Sequence, residues 1–191
     1  MLGWKKSALA QAPEGLQAVR SFANTLDIDE DVDHLATIDG LVAWMAEQGH
    51  FVDSVEVTPA GLERARAVRD ALRGAMEANA DHADRDAALR ELNDLARGLP
   101  LRVRFVDDDT AELVPVGAAV DGVLASLLAD VRDAMRDGTW RRLKICRSED
   151  CQWAYYDASR NRSGRWCSMA VCGNRQKVRA YRERQSADEV S

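Results

Sequence analysis

Apolar residues recur at three- and four-residue steps through most of this chain, a spacing that predicts a mainly helical protein with one strand pair. Leu16, Val19, Ala23 and Leu26 predict a helix over 14–26. Thr37 is a candidate N-cap for a helix reaching Gln48, with Leu41, Val42, Trp44 and Met45 on it and Gly49 where helices stop. Phe51 to Val57 alternates weakly and reads as extended. Thr58-Pro59 opens the clearest helix, a cap followed by proline at the first helical position, with Leu62, Ala65, Val68, Leu72 and Met76 along one face. Ala83 to Arg97 is amphipathic through Leu89, Leu92 and Leu95, and Gly98 lies just beyond it. Leu101 to Val106 and Ala111 to Val116 alternate around Asp107-Asp108-Asp109-Thr110, which predicts a β-hairpin whose Val103 and Phe105 meet solvent differently from Arg102 and Arg104. Val120, Val123, Leu124, Leu127, Leu128 and Val131 form the stripe of a last body helix over 118–136, broken at Gly138-Thr139.

Composition and charge divide the chain. At 191 residues it can bury a real core as one domain plus a small satellite, and its 6% aromatic content and Ala, Leu and Val bias suit helices. No run of about eighteen apolar residues occurs, so no membrane partner is expected. The net charge of -6 hides an asymmetry: residues 1–138 carry 14 Lys+Arg against 26 Asp+Glu, whereas 139–184 carry 12 against 4. An acidic body and a basic C-terminal unit are expected, the latter being the candidate for polyanion contact.

All four cysteines lie in the basic unit. Cys146 and Cys151, then Cys167 and Cys172, form two C-x-x-x-x-C loops separated by fifteen residues. Two short chelating loops joined by one segment build a closed tetrahedral zinc site, structural because four thiolates leave no open position. Two disulfides or an iron–sulfur cluster are the alternatives. The opening Met1-Leu2-Gly3-Trp4-Lys5-Lys6 has no apolar signal core after its lysines, so a reducing cytoplasm, and Zn2+, is the expectation.

Trp166-Cys167-Ser168-Met169-Ala170-Val171-Cys172-Gly173-Asn174-Arg175, preceded by Asp157-Ala158-Ser159-Arg160-Asn161-Arg162, resembles the CGNR zinc finger, named for the residues that here are Cys172 to Arg175. Phe22-Ala23-Asn24-Thr25 and Gly40-Leu41-Val42-Ala43-Trp44 are similar to the ABATE domain of stress-induced transcription regulators, which usually precedes that finger. The resemblance implies a bacterial DNA-binding regulator of a stress response.

The basic residues agree with that implication. Arg175, Arg179 and Arg182 recur at steps of four and three on one helix face flanked by Lys177, and Arg160, Arg162 and Arg165 add a basic turn. Guanidinium groups suit phosphate oxygens and guanine edges, so these seven are the candidate contacts to double-stranded DNA. A basic helix docked on the acidic body explains the same charges. Beside a ligand cysteine, Asn174 and Arg175 could instead order the metal loop. Asn24 and Trp44 are the weak candidates for a small-molecule effector site, against the simpler reading that Asn24 satisfies a buried backbone group. Asp27, Asp29, Glu30, Asp31 and Asp33 read as a solvated loop or a hard-cation site.

Enzyme chemistry finds no support: His34, His50 and His82 are isolated, no nucleophile or phosphate-loop motif occurs, and the cysteines are committed to metal. The expectation is an α+β, mainly α protein: a helical N-terminal body with one β-hairpin over 1–140, a treble-clef-like four-cysteine zinc finger over 141–185, and a disordered tail over 186–191. Its expected work is zinc-dependent transcription regulation as a candidate homodimer. A zinc-stabilised interaction module and a thiol redox switch are the rivals.

Overall fold

The computed structural model describes residues 10–80, 83–117 and 119–188. The body is built from α1 (Glu14–Ala23), α2 (Ile38–Glu47), α3 (Pro59–Asn79), α4 (Arg85–Ala96) and α5 (Ala119–Asp137). Thr37 and Thr58 cap α2 and α3 as their position predicts, each hydroxyl accepting from the amide three residues on. Helix α3 is the central pillar. Its Ala65, Val68, Ala71, Leu72 and Met76 are sealed from solvent against Leu16, Val19 and Phe22 of α1, Leu41 and Met45 of α2, and Leu124 and Leu127 of α5. The tight join before α2 needs Gly40, because a β-carbon there would come within 1.8 Å of the His34 carbonyl oxygen.

Several expectations are corrected. The first helix stops at Ala23, and Leu26–Asp27 (β1) pairs antiparallel with Val32–Asp33 (β2) across the acidic run. Ser54–Glu56 is a 3-10 turn rather than part of an extended segment, since it has no strand to pair with. Leu89 is exposed, because α4 buries only Ala88 and Leu92 against α3. The predicted hairpin is present as β3 (Leu101–Phe105) and β4 (Ala111–Pro115), with Val103 opposite Leu113. Its two faces do not differ as expected: Val103 and Phe105 are exposed like Arg102 and Arg104, because only the base of the hairpin, with Leu101, reaches the core. Ala118 and His82 lie outside the described residues.

The basic unit follows α5 directly. Gly138 (φ +77°) ends that helix, the 3-10 turn Trp140–Arg142 buries Trp140, and β5 (Leu143–Ile145) pairs antiparallel with β6 (Ala154–Tyr156). The finger hairpin thus spans the first cysteine loop. Beyond β6 the chain turns back through a loop closed by the Ser159 and Gly164 amides, which donate to the Asp157 carboxylate. A π-helical turn, Met169–Gly173, leads into α6 (Asn174–Asp188), so helix extends into the segment read as a tail, and 189–191 lie outside the described residues. Leu143, Ile145 and Ala154 belong to the same buried cluster as α1 and α3, so the first half of the finger completes the core of the body. Among the described residues no helix is long and apolar enough to cross a membrane.

Candidate metal centre and nucleic-acid interface

Cys146 follows β5 directly, Cys151 sits in the turn, and Gln152 takes the left-handed conformation (φ +45°) that reverses the chain into β6. Cys167 precedes the π turn and Cys172 lies within it, where Ser168 Oγ caps the Val171 amide at 3.3 Å. All four sulfurs fall within 4.8 Å of one another, with Cys151–Cys167 and Cys167–Cys172 both at 3.7 Å. Metal–sulfur bonds of about 2.3 Å in a tetrahedron require sulfurs about 3.8 Å apart, so the donor set has the size of one tetrahedral ion. A disulfide is excluded at these separations, being a bond of about 2.05 Å. Backbone amides of Cys167 and Ser148 donate to the Cys146 sulfur and that of Trp153 to Cys151, the support a thiolate needs.

Four close thiols cannot all ionise unaided. Hydrogen bonds from Cys151 and Cys167 hold Cys146 down at about 2; the same bonds push Cys151 and Cys167 up, and burial pushes Cys172 up to about 12. A bound divalent cation removes that conflict by stabilising all four thiolates together. Trp153, Tyr155, Trp166 and Val171 pack around the sulfurs and exclude water. Among the described residues this is the only cluster of His, Cys, Asp or Glu with the proximity a metal needs. Among the described residues the acidic run forms no such cluster: Asp33 caps Leu35 and pairs with Arg69, and Asp29 pairs with Arg175.

The CGNR zinc finger family matches residues 142–185, and the ABATE family, described as "Putative stress-induced transcription regulator", matches residues 16–138. The chain belongs to the ABATE family. No curated protein matches it in sequence. The ABATE domain and the CGNR finger are joined by buried polar bonds as well as by core. Asn24 donates to the Ala154 carbonyl at 2.9 Å and accepts from its amide at 2.8 Å. Arg73 links the Ala23 and Gln152 carbonyls, Asn79 reaches those of Trp140 and Leu143, and Arg147 returns to Ala80.

Those bonds correct the effector expectation. Both ends of the Asn24 amide are used by Ala154, and Trp44 is buried against Phe22 at a ring separation of 4.7 Å with its indole N–H on Ser21. Neither residue is left to face a small molecule.

The basic residues divide into two groups. Arg160, Arg162 and Arg165 are exposed on the loop between Asp157 and Trp166. That loop is fastened by a feature the sequence reading missed, a buried ion pair of Lys144 with Asp157 at 2.8 Å. Lys144 also donates to the Arg162 carbonyl at 2.5 Å, and Asp157 accepts from the amides of Ser159 and Gly164. Burial pushes the Asp157 carboxyl up, but Lys144 and these amides outweigh it and hold it at about 2. Gly164 permits the closure, since a β-carbon there would lie 2.9 Å from the carboxylate. The available signal was a lysine between two apolar residues of a strand, and an Asp two positions before Ser159.

Arg175, Lys177, Arg179 and Arg182 are exposed on α6. Arg175 meets Asp29 at 2.9 Å and Arg179 meets Glu149 at 3.4 Å. Asn174 donates to the Ala170 carbonyl at 3.0 Å, a bond that orders the π turn beside Cys172.

Proposed function

We propose that the protein is a DNA-binding transcription regulator whose finger is held by zinc. The observation that supports this best is one metal-organised unit presenting two sets of exposed cations: Arg160, Arg162 and Arg165 on a loop locked by Lys144 and Asp157, and Lys177 and Arg182 among the cations of α6. Four thiolates in a tetrahedral cage favour zinc over magnesium or calcium, which take oxygen ligands. Helix α6 has 15 residues, about 22 Å of length, and among its described side chains only Gln176 and Ala180 are half-buried, so it can enter a major groove from several sides. The loop arginines would then meet the flanking phosphates. A second copy would be needed to read a palindrome, and a cytoplasmic location follows from the same role. No catalytic role is assigned.

The deciding experiment measures binding of zinc-loaded and metal-stripped protein to duplex DNA at several salt concentrations. Zinc-dependent binding that weakens steeply with salt supports the reading, and Arg160→Ala with Arg162→Ala should flatten the salt slope by about two. Full binding without metal overturns it.

A second reading is favoured by Val178 and Tyr181, which are 49% and 55% exposed one turn apart on α6. On that reading the helix packs on a protein partner, and alanine at those two positions, rather than at the arginines, abolishes the interaction.

A further inference from the structure

The two arginines that begin the basic face of α6 are held by carboxylates of the same chain. Arg175 Nη1 lies 2.9 Å from Asp29 Oδ1, and Arg179 Nη1 lies 3.4 Å from Glu149 Oε2. Asp29 is 146 residues away in sequence, in the β1–β2 turn, so the fold has brought one carboxylate of the acidic run of the ABATE domain onto α6. That run holds five carboxylates within seven residues, Asp27, Asp29, Glu30, Asp31 and Asp33, of which Asp33 is committed to Arg69 and the Leu35 amide. Two carboxylates, one from the β1–β2 turn and one from the first cysteine loop, thus stand against α6 where phosphate oxygens would stand in a complex.

We propose that the β1–β2 turn, through Asp29 and assisted by Glu149, competes intramolecularly with nucleic acid for α6. This rests on the DNA reading and adds its regulation. Carboxylate and phosphate oxygens accept from the same guanidinium N–H groups, so Arg175 cannot serve both fully at once. The pairs lie at the surface: side-chain exposure is 19% for Asp29 and 39% for Arg175, and 80% for Glu149 and 54% for Arg179. Exposed ion pairs are weak, so the turn acts as a reversible latch that lowers affinity severalfold and does not block the helix. Its strands are two residues each, so a change in the ABATE domain that displaces them would release Arg175.

The test compares the full-length, zinc-loaded wild type with Asp29→Asn/Glu149→Gln, and with Asp108→Asn/Asp109→Asn in the β3–β4 loop as a charge-matched control. Affinity for a labelled DNA duplex and elution salt from heparin resin are both read. The expected result is duplex binding roughly three- to tenfold tighter for the latch variant than for the control, with the excess lost at high salt and absent when Arg175→Gln and Arg179→Gln are added. Equal affinities for latch variant and control overturn the proposal, and so does weaker binding by the latch variant, which would make Asp29 a support for Arg175. Should no form bind the duplex, the DNA reading fails by itself. Heparin then decides the latch: later elution of the latch variant than of the control upholds it, and coincident elution overturns it.

Discussion

The carboxamide of Asn24 pairs with the backbone of Ala154 in both directions, at 2.9 and 2.8 Å, across 130 residues of sequence. Ala154 lies on β6, whose neighbouring residue Trp153 bonds to Cys146, so the amide and carbonyl of Ala154 point away from β5. Left alone they would be buried and unpaired. Asn24 stands in for a third strand, and in doing so fastens the first helix of the ABATE domain to the metal-binding hairpin.

Replacing Asn24 with Ala should therefore cost roughly 2–4 kcal/mol, two buried hydrogen bonds and the desolvation of the groups left behind. Asn24→Asp keeps an acceptor for the Ala154 amide but sets a second acceptor against the Ala154 carbonyl, and should be no better. Urea unfolding of both variants measures the loss. Stability equal to wild type would show that water can take over the Asn24 bonds.

Metal removal should not unfold the finger alone. Leu143, Ile145 and Ala154 lie in the core of the body, and Arg73 bridges the carbonyls of Ala23 and Gln152. Chelation, or Cys172→Ser, should lower the melting temperature of the whole chain in one transition, with near-ultraviolet signals of body and finger tryptophans lost together. Two separated transitions in calorimetry would contradict this coupling.

Lys144→Met should be among the most damaging single changes outside the cysteines. It leaves the Asp157 carboxylate buried without its cation, a loss of about 3–5 kcal/mol. The Arg160–Arg162 loop should become open to trypsin, and Lys144→Met/Asp157→Leu should recover part of the stability without restoring the loop. Unchanged proteolysis of the loop in Lys144→Met would count against the ion pair as its organiser.

Asp130 sets a pH dependence of the opposite sense to the usual carboxylate. Burial, then the neighbouring Asp133, raises it to about 6, and its carboxylate stands where a β-carbon on Gly15 would come within 3.2 Å. With the folded value above the unfolded one, the folded state binds the extra proton, so this group's contribution to stability falls as pH rises from about 4 through about 6 and is flat above. Asp130→Asn should raise the melting temperature at pH 7.5, and the gain should vanish towards pH 4. A gain independent of pH would assign the effect to packing.

How much of this was legible beforehand depends on the range of the interaction. The helix caps at Thr37 and Thr58, the β3–β4 hairpin and each of the two cysteine pairs follow from residues a few positions apart, where backbone geometry acts directly. Leu89 and the Val103–Phe105 pair were misjudged because periodicity tells which face is apolar and not whether anything covers it. Asn24 was open between two readings because its partner is 130 residues away.

The sequence by itself determined the four-thiol donor set and the sign of the charge on each half, since cysteine spacing and a count of ionisable groups are read directly from the chain. Only the tertiary structure decided that Lys144 and Asp157 form a buried clasp, that the finger hairpin completes the body's core, and that Asp29 meets Arg175. Each joins residues that chain proximity does not bring together, and burial makes the clasp costly to break by half, because the charge left behind has neither its partner nor water.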